Sequence, residues 1–500
     1  MAPKIPEHFR DLREWIAFLE KRGELKRIKT PVSADLEITE IAEREMKKPG
    51  GGKALLFEKP VVNGAVSAFP LLINAMGSER RMELCFGDRP VSQVADEISA
   101  LLKAKPPRSI GEAIPLLKLG LGVMLHAKPS TVRSGSCKDH IYLMDDPANQ
   151  FTLDDLPVLK CWPHDGGRFV TFPNVYTQDP DTGERNIGMY RMQVYDGKST
   201  GMHWQVHKVG ARHGRRYYEE GKKMPVSVCL GGDPVLTFAA TAPMPDGLDE
   251  VLLAGFLRRK SVPMVKCETN DLMVPANSDF VIEGYVDPAE SRTEGPFGDH
   301  TGFYTPEDEY PVFHVTAITH RKDAVYPATV VGIPPMEDFY MGDVSVRIFF
   351  PMMKMLHPEI VDIHLPPEGV FHNLVIVSIK KQYPWQAFKI MHGLWGMGQM
   401  MFTKIMVVVD HDVDVRNNSQ WLWWMCGNIE PQRDMIFTKG PTDSLDHAST
   451  LPNIGTKVGI DATRKLPGEG YDKRVWPDKV EMPDAIKTKV DQMIKGIPGL

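Results

Sequence analysis

The hydrophobic pattern changes character twice along this chain, and that limits the folds open to it. Between about residue 156 and residue 320 the apolar stretches are short, and Gly, Pro and Asp punctuate them. Strand candidates lie at 170–172, 186–195, 202–206, 226–230, 264–267, 280–285 and 313–319. Many short strands at such spacing predict a β-barrel or sandwich. One helix, 246–258, interrupts them with Leu252, Leu253 and Phe256 as its apolar positions. On either side helices and strands alternate, the pattern of α/β units. Before the β-rich region, Phe9, Leu12, Ile16 and Leu19 recur at helical spacing, and Gly23 is placed to end that helix. Strands follow at 25–28, 54–57 and 71–74, with helices over 35–47 and 91–103. After His320 come a helix over 344–355 containing Pro351, a strand over 374–379, a helix over 385–402, a strand over 405–409 and a helix over 420–426. A helical pattern over 482–497 suits an oligomer contact. The expectation is a mixed α/β chain in three parts, 1–115, 116–320 and 321–500.

Charge narrows the function classes. Lys and Arg number 59 against 65 Asp and Glu, a net charge of −6, which argues against a nucleic-acid partner. The six cysteines are scattered without a CxxC pair, so reduced thiols in a cytoplasmic protein are expected. The first ten residues carry no apolar leader core. No stretch reaches the ~18 apolar residues that a membrane span needs. Residues 114–125 come nearest, and they read as a short buried helix, with peripheral contact at an inner membrane as the alternative. The 27 methionines suggest adaptable apolar walls, in the core or in a pocket.

One loop concentrates chemistry on a shaped backbone. In Glu294-Gly295-Pro296-Phe297-Gly298-Asp299-His300, glycine and proline exclude a regular helix and hold two carboxylates on a stiff turn. Such a loop is a structural turn or a site. Three upstream features belong with it. In the stretch 186–191, Asn186 and Arg191 have opposite strand parity, and Gly188 could supply a bend that lets both face one side. In the stretch 203–208, strand alternation would set His203, Gln205 and His207 on one face. At 246–250, Asp246 and Asp249 suit a helix start, whereas Glu250 could turn inward. An Asn oxygen, a His nitrogen and a Glu oxygen would suit Mn²⁺ or Mg²⁺ with positions left for phosphate.

Taken in order, several segments resemble the UbiD family of aromatic and acrylic acid decarboxylases. They are NIGMYR at 186–191, VKCETNDLMVPA at 265–276, IEGY at 282–285, EGPFGDHTG at 294–302, KKQY at 380–383, KIMVVVDHDVD at 404–414 and GTKVGIDAT at 455–463. The resemblance implies a central split β-barrel of flavin-reductase type between two α/β domains, and a homo-oligomer, dimer or hexamer. It implies prenylated FMN, made by a separate flavin prenyltransferase, its phosphate tied to Mn²⁺ and commonly to a potassium ion. Carried over by motif, Asn186, His207 and Glu250 would hold the metal. Met189, Tyr190, Arg191, His203, Trp204, Gln205, Lys208 and Val209 would line the cofactor. Lys404 would contact its phosphate, with Lys380 as the fallback. Arg191, Glu294 and Asp299 would form the catalytic set. Asp at the last position is similar to the polyprenyl-hydroxybenzoate members, where the cinnamate branch has Glu.

These roles fit elementary chemistry. Decarboxylation at an sp² carbon leaves carbanion character that no side chain can absorb, so a cofactor must. Arg191 would bind the substrate carboxylate through its planar fork and pair with Glu294. Asp299 would return a proton to carbon, helped by dry, like-charged surroundings that raise its pKa. The substrate expected first is 3-polyprenyl-4-hydroxybenzoate, of ubiquinone biosynthesis; another aromatic or phenolic acid is the near alternative. A flavin-binding oxidoreductase is the alternative of another class, although no GxGxxG follows a strand. A non-catalytic assembly protein is a third. Convergence of Arg191, Glu294 and Asp299 separates the decarboxylase from both.

Overall fold

The computed structural model describes residues 6, 8–102, 127–205, 208–244, 249–471 and 475–497. The helix Leu12–Lys21 opens the N-terminal unit, capped by the Asp11 carboxylate, which accepts from the amides of Arg13 and Glu14. It buries Leu12, Trp15, Ile16, Phe18 and Leu19. Leu25–Ile28 pairs in parallel with Ala54–Phe57, which pairs antiparallel with Leu71–Ile73. The fourth strand, Tyr326–Pro327, comes from far along the chain and pairs in parallel with Leu71–Ile73. A strand of two residues carries no periodicity, so the sequence offers no sign of it.

The central sheet runs in the order Arg185–Gly188, Asn174–Gln178, Met224–Leu230, Phe280–Glu294, Asp308–His320, Ser199–Gly201, Met192–Asp196 and Phe169–Val170. Arg185–Gly188 begins this order, and Met192–Asp196 lies six strand steps away. Only residues 189–191 join them. Three residues reach at most about 14 Å, whereas six steps in a flat sheet span about 29 Å. The sheet therefore curls until its two sides meet at Arg191. The expected continuous strand over 186–195 is thus two strands, broken just after Gly188 where the bend was expected. The expected strand over 202–206 is also absent among the described residues, since Ser199–Gly201 ends at Gly201. His203 and Gln205 are therefore placed by a loop, not by strand alternation.

The C-terminal sheet has the order Ile360–His364, Leu374–Ile379, Ile405–Asp410, Ile454–Asp461, Met435–Pro441. Its three inner strands are parallel. Their near-continuous apolar runs fit a sheet covered on both faces. Gln386–Trp395 packs Ile390, Met391 and Leu394 against Val375, Val377, Met406 and Val408. Asn418–Asn428 packs Trp421 and Trp424 against Ile376, Val407 and Val409 on the other face. The helix Glu337–Leu356, with Pro351 inside it, joins the two ends of the molecule. Its Val344, Ile348 and Phe349 enter the core that holds the N-terminal helix, while Phe350 and Met353 lean on the C-terminal core. The tail helix Asp484–Ile494 buries no residue. The expected helix at 114–125 and the linker at Lys105-Pro106-Pro107 lie outside the described residues.

Candidate active site

Glu294 is the last residue of the long strand Phe280–Glu294, and the loop begins there. Gly295 has φ 104°, a conformation that a Cβ makes costly, and its bond to Pro296 is cis. The strand Met192–Asp196 and the loop at Asp165 grip this turn. The Gly295 amide donates to Gln193 Oε1 at 2.7 Å, and the Gly298 amide donates to Asp165 Oδ1 at 2.8 Å. The other Asp165 oxygen accepts from the amides of Cys161 and Trp162. A Cβ at Gly298 would lie 2.2 Å from the Trp162 ring, so the glycine permits close approach. The turn is built to hold the residues at its two ends.

Those residues converge on one guanidinium. Arg191 Nε donates to Glu294 Oε1 at 2.9 Å, and its Nη1 donates to Asp299 Oδ2. Arg191 also lies 4.6 Å over the Phe297 ring. His203 Nδ1 bonds the same Glu294 oxygen at 2.9 Å, with its ring 4.2 Å from that of Tyr310. Thr305 Oγ1 donates to Asp299 Oδ2 at 2.9 Å, and both the amide and Nδ1 of His300 bond Asp299 Oδ1, at 2.7 and 2.9 Å. Glu294 is 1% exposed, Asp299 5% and His203 6%.

The charges follow from these contacts. Burial would raise the Asp299 pKa, but the Arg191 guanidinium and the His300 bonds outweigh it and hold the carboxyl well below its usual range. The sequence expectation of a raised Asp299 is therefore corrected: its nearest charged neighbour is a cation, not another acid. Glu294 is lowered in the same way, burial being offset by His203 and Arg191. His203 is lowered by burial and by Arg191, so it is neutral at pH 7 and donates from Nδ1. His300 is raised, since its bond to Asp299 outweighs burial. Glu294 Oε2 and His203 Nε2 are buried without partners. A bound group or ordered water at this point would complete these unpaired buried atoms.

A second cluster lies on the side of Asn186. Glu250 begins the helix Glu250–Leu257, behind its cap Asp249, and it does turn inward. Its Oε2 accepts from the Ile187 amide at 2.9 Å, and burial pushes its pKa up to about 7. A cavity of about 380 Å³ opens here, lined among others by Arg185, Asn186, Val209, Arg212 and Glu250. Asn186 Nδ2 is buried and unpartnered. Val209 starts the helix Val209–Glu219, and Lys208 is its half-buried N-cap, its pKa lowered by desolvation. Helix amides and a cation at a cavity suit a phosphate. Tyr190 Oη accepts from the Gly210 amide at 3.4 Å, and the Trp204 ring lies 6.4 Å from that of Tyr190. Gln205 is half-buried beside them, and Met189 packs against the N-terminal core.

The donor set fits a divalent cation and a phosphate-bearing cofactor. Asn186 and Glu250 share one cavity, which leaves a third ligand to find; the expected one, His207, lies outside the described residues, as does Asp246. Among the described residues no three His, Cys, Asp or Glu side chains form a metal cage on their own. Lys404 does not line this cavity; its Nζ pairs with Asp446 at 2.8 Å. Lys380 is exposed. Sequence reasoning missed Gln193, Asp165 and Thr305, whose separation along the chain hides their meeting. It also passed over His300, although His300 directly follows Asp299.

Comparison with known proteins finds matches over most of the chain. Three family models match in series: the 3-octaprenyl-4-hydroxybenzoate carboxy-lyase N-terminal domain over residues 16–102, its Rift-related domain over 130–334 and its C-terminal domain over 339–462. An uncharacterized protein of Archaeoglobus fulgidus is 49% identical over 488 residues, 97% of each chain. Another, of Aquifex aeolicus, is 46% identical, covering 97% of this chain and 98% of its own. Among solved structures, the closed form of vanillic acid decarboxylase from Sedimentibacter hydroxybenzoicus superposes with a TM-score of 0.83 at 25% identity, over 97% of this chain and 99% of that one. HmfF from Pelotomaculum thermopropionicum, in complex with FMN, gives 0.77 at 25% identity, over 96% and 99%.

Proposed function

The chain belongs to the UbiD family, and from that membership we propose that it catalyses the non-oxidative, prenylated-FMN-dependent decarboxylation of an aromatic acid. The observation that carries the reading is the meeting of Glu294 and Asp299, both buried, on the single Arg191 guanidinium. Neither a plain flavin oxidoreductase nor an assembly protein needs that arrangement. The first substrate to test is 3-polyprenyl-4-hydroxybenzoate, giving 2-polyprenylphenol in ubiquinone biosynthesis. A smaller phenolic acid is the second, favoured by the likeness to a vanillic acid decarboxylase.

When bound, prenylated FMN, supplied by a flavin prenyltransferase, provides the sink for the electron pair that decarboxylation leaves on carbon. The chain's own residues do the rest. Asn186, His207 and Glu250 would hold Mn²⁺, a K⁺ would add to the charge that binds the phosphate, and the helix start at Lys208 and Val209 would receive that phosphate. Met189, Tyr190, Trp204 and Gln205 line the cofactor. Arg191 grips the substrate carboxylate with its planar fork, which Glu294 orients through the same oxygen that His203 bonds. Asp299 delivers a proton to the carbon as CO₂ leaves. The apolar face of the tail helix, Ile486, Val490 and Met493, is exposed and suits a homo-oligomer, dimer or hexamer. Among the described residues no helix is long and apolar enough to cross a membrane; peripheral contact with an inner membrane from the cytoplasm would have to use the surface.

The test is co-production with a flavin prenyltransferase, followed by the flavin spectrum and CO₂ release across a panel of aromatic acids. The expected outcome is a bound prenylated flavin and CO₂ from a 4-hydroxybenzoate. A loaded protein that releases no CO₂ and instead oxidises a nicotinamide would overturn the reading.

A further inference from the structure

Asp299 is not the end of its hydrogen-bond chain. His300 Nδ1 lies 2.9 Å from Asp299 Oδ1, and His300 Nε2 lies 3.0 Å from Nε2 of His372. His372 stands in the turn between the short helix Pro367–Gly369 and the strand Leu374–Ile379. The chain of bonds thus crosses from the loop of the central sheet to the C-terminal sheet. The turn that presents His372 is strained. Val370 has φ 55° and Phe371 φ 42°, and a β-branched residue in the left-handed region is a genuine outlier. Such strain persists only where surrounding structure enforces it. Here the amides of Val370 and Phe371 donate to the carbonyls of Pro367 and Pro366, and the Asn373 carbonyl accepts from the amides of Lys404 and Ile405. The Phe371 ring sits 5.5 Å from His300. The far nitrogen of His372, Nδ1, is buried and has no partner.

The two rings differ in charge: the bond to Asp299 favours the cation at His300, whereas burial and the neighbouring His300 push the His372 pKa down to about 4, so His372 rests neutral. His300 faces Asp299 on its own loop, Asp338 at the start of the helix Glu337–Leu356, Asp443 beyond the strand Met435–Pro441, and His372. His372 faces Asp443 and Asp446, with Lys208 as the opposing cation. Meanwhile Arg191 keeps Asp299 ionised. Decarboxylation consumes one proton per turnover, so a buried acid that rests as a carboxylate must be reloaded each cycle.

We propose that His372 and His300 form the path by which Asp299 is reprotonated, a role that rests on the decarboxylase reading above. A proton from a water at the unpaired nitrogen adds to His372 Nδ1. The His372 Nε2–H bond breaks as its proton moves to His300 Nε2. The His300 Nδ1–H bond breaks as Asp299 Oδ1–H forms. Asp299 then gives that proton to the carbon that has lost CO₂, which keeps the electron pair of the broken C–C bond. Both rings return to their starting tautomers by exchange with water. One proton enters and one leaves on the product. His300 and His372 act through Asp299 and need not touch the substrate.

Two measurements test this. In the loaded enzyme, His372→Gln and His300→Gln keep a polar side chain but cannot pass a proton through it. Each should lower kcat by about ten- to a hundredfold and raise the solvent deuterium isotope effect on kcat. Imidazole in the buffer should restore part of the rate to His372→Gly. An unchanged kcat and isotope effect, or a loss that imidazole leaves untouched, overturns the relay. Independently of turnover, histidine-selective ¹⁵N NMR of the full chain without flavin follows both rings. The titration of His300 should move in His372→Gln and fall in Asp299→Asn, and rings that titrate independently overturn the relay alone. Failure of the wild-type loaded enzyme to release CO₂ from any acid overturns the decarboxylase reading itself, and the relay's purpose with it.

Discussion

Arg191 holds two carboxylates at once, and its neighbours decide what each can do. Glu294 shares its oxygen with His203 and has no proton to give, whereas Asp299 opens onto His300 and can be reloaded. Asp299→Asn should therefore cut turnover by about 10²- to 10⁴-fold while the flavin spectrum stays that of the bound cofactor; undiminished CO₂ release would remove Asp299 from the chemistry. On the metal side, His207→Ala should lower manganese content and cofactor retention together, as measured by elemental analysis and absorbance of the purified protein. Equal occupancy of both would refute the ligand assignment. The residue types were legible before the structure, since a conjunction of Arg, Glu and Asp with an Asn-His-Glu trio suits few reactions. Their ionisation was not, because the field at Asp299 comes from a guanidinium more than a hundred residues away in sequence.

At the scale of elements, the catalytic turn works because a second loop locks it. Gly298→Ala would press a methyl group against the Trp162 ring, whose Nε1 is tied to the Val331 carbonyl at 2.9 Å. A tied ring yields poorly, so the turn should shift and Asp299 with it, costing roughly tenfold or more in kcat with the circular-dichroism spectrum unchanged. The helix Glu337–Leu356 carries a pH signature. Its Glu337 is fully buried, accepts from the Met76 amide at 2.7 Å and the Thr329 hydroxyl at 2.8 Å, and is pushed up to about 7 by burial. A raised carboxyl pKa means that the folded chain binds this proton more tightly than the unfolded chain. The stability it contributes is full below the unfolded pKa and is lost as pH rises through about 7, a loss on the order of 3 kcal/mol. Urea denaturation at pH 5 and pH 8 should show that loss in the wild type and a much smaller one in Glu337→Gln. Helix and strand periods announced most elements here, and Gly188 offered a bend, yet the curl that brings the two ends of the central sheet together at Arg191 is written in no local pattern.

Across the whole molecule, elements from one end of the chain complete the cores of the other. The N-terminal sheet borrows Tyr326–Pro327 from beyond the central sheet, and the helix Glu337–Leu356 enters both outer cores. The tail helix stays unburied, with Ile486, Val490 and Met493 exposed at 45%, 44% and 57%. An apolar stripe of this kind asks for a partner, and a second copy of the chain is the partner proposed. Ile486→Asp with Val490→Asp should move the mass seen by light scattering towards that of one chain without loss of bound flavin; an unchanged assembly would place the contact elsewhere.

By itself the sequence determined the alternation of α/β, β and α/β regions, the shape of the loop at 294–300 and the residue types of the catalytic set. Each rests on information local to the chain: hydrophobic period, turn residues, and the chemistry of side chains within a short motif. Only the tertiary structure decided that Arg191 faces both acids, that Asp299 rests ionised, and that His300 reaches His372 across two sheets. Those facts depend on distances between segments far apart in sequence, which the curl of the central sheet and the close packing of the C-terminal unit set.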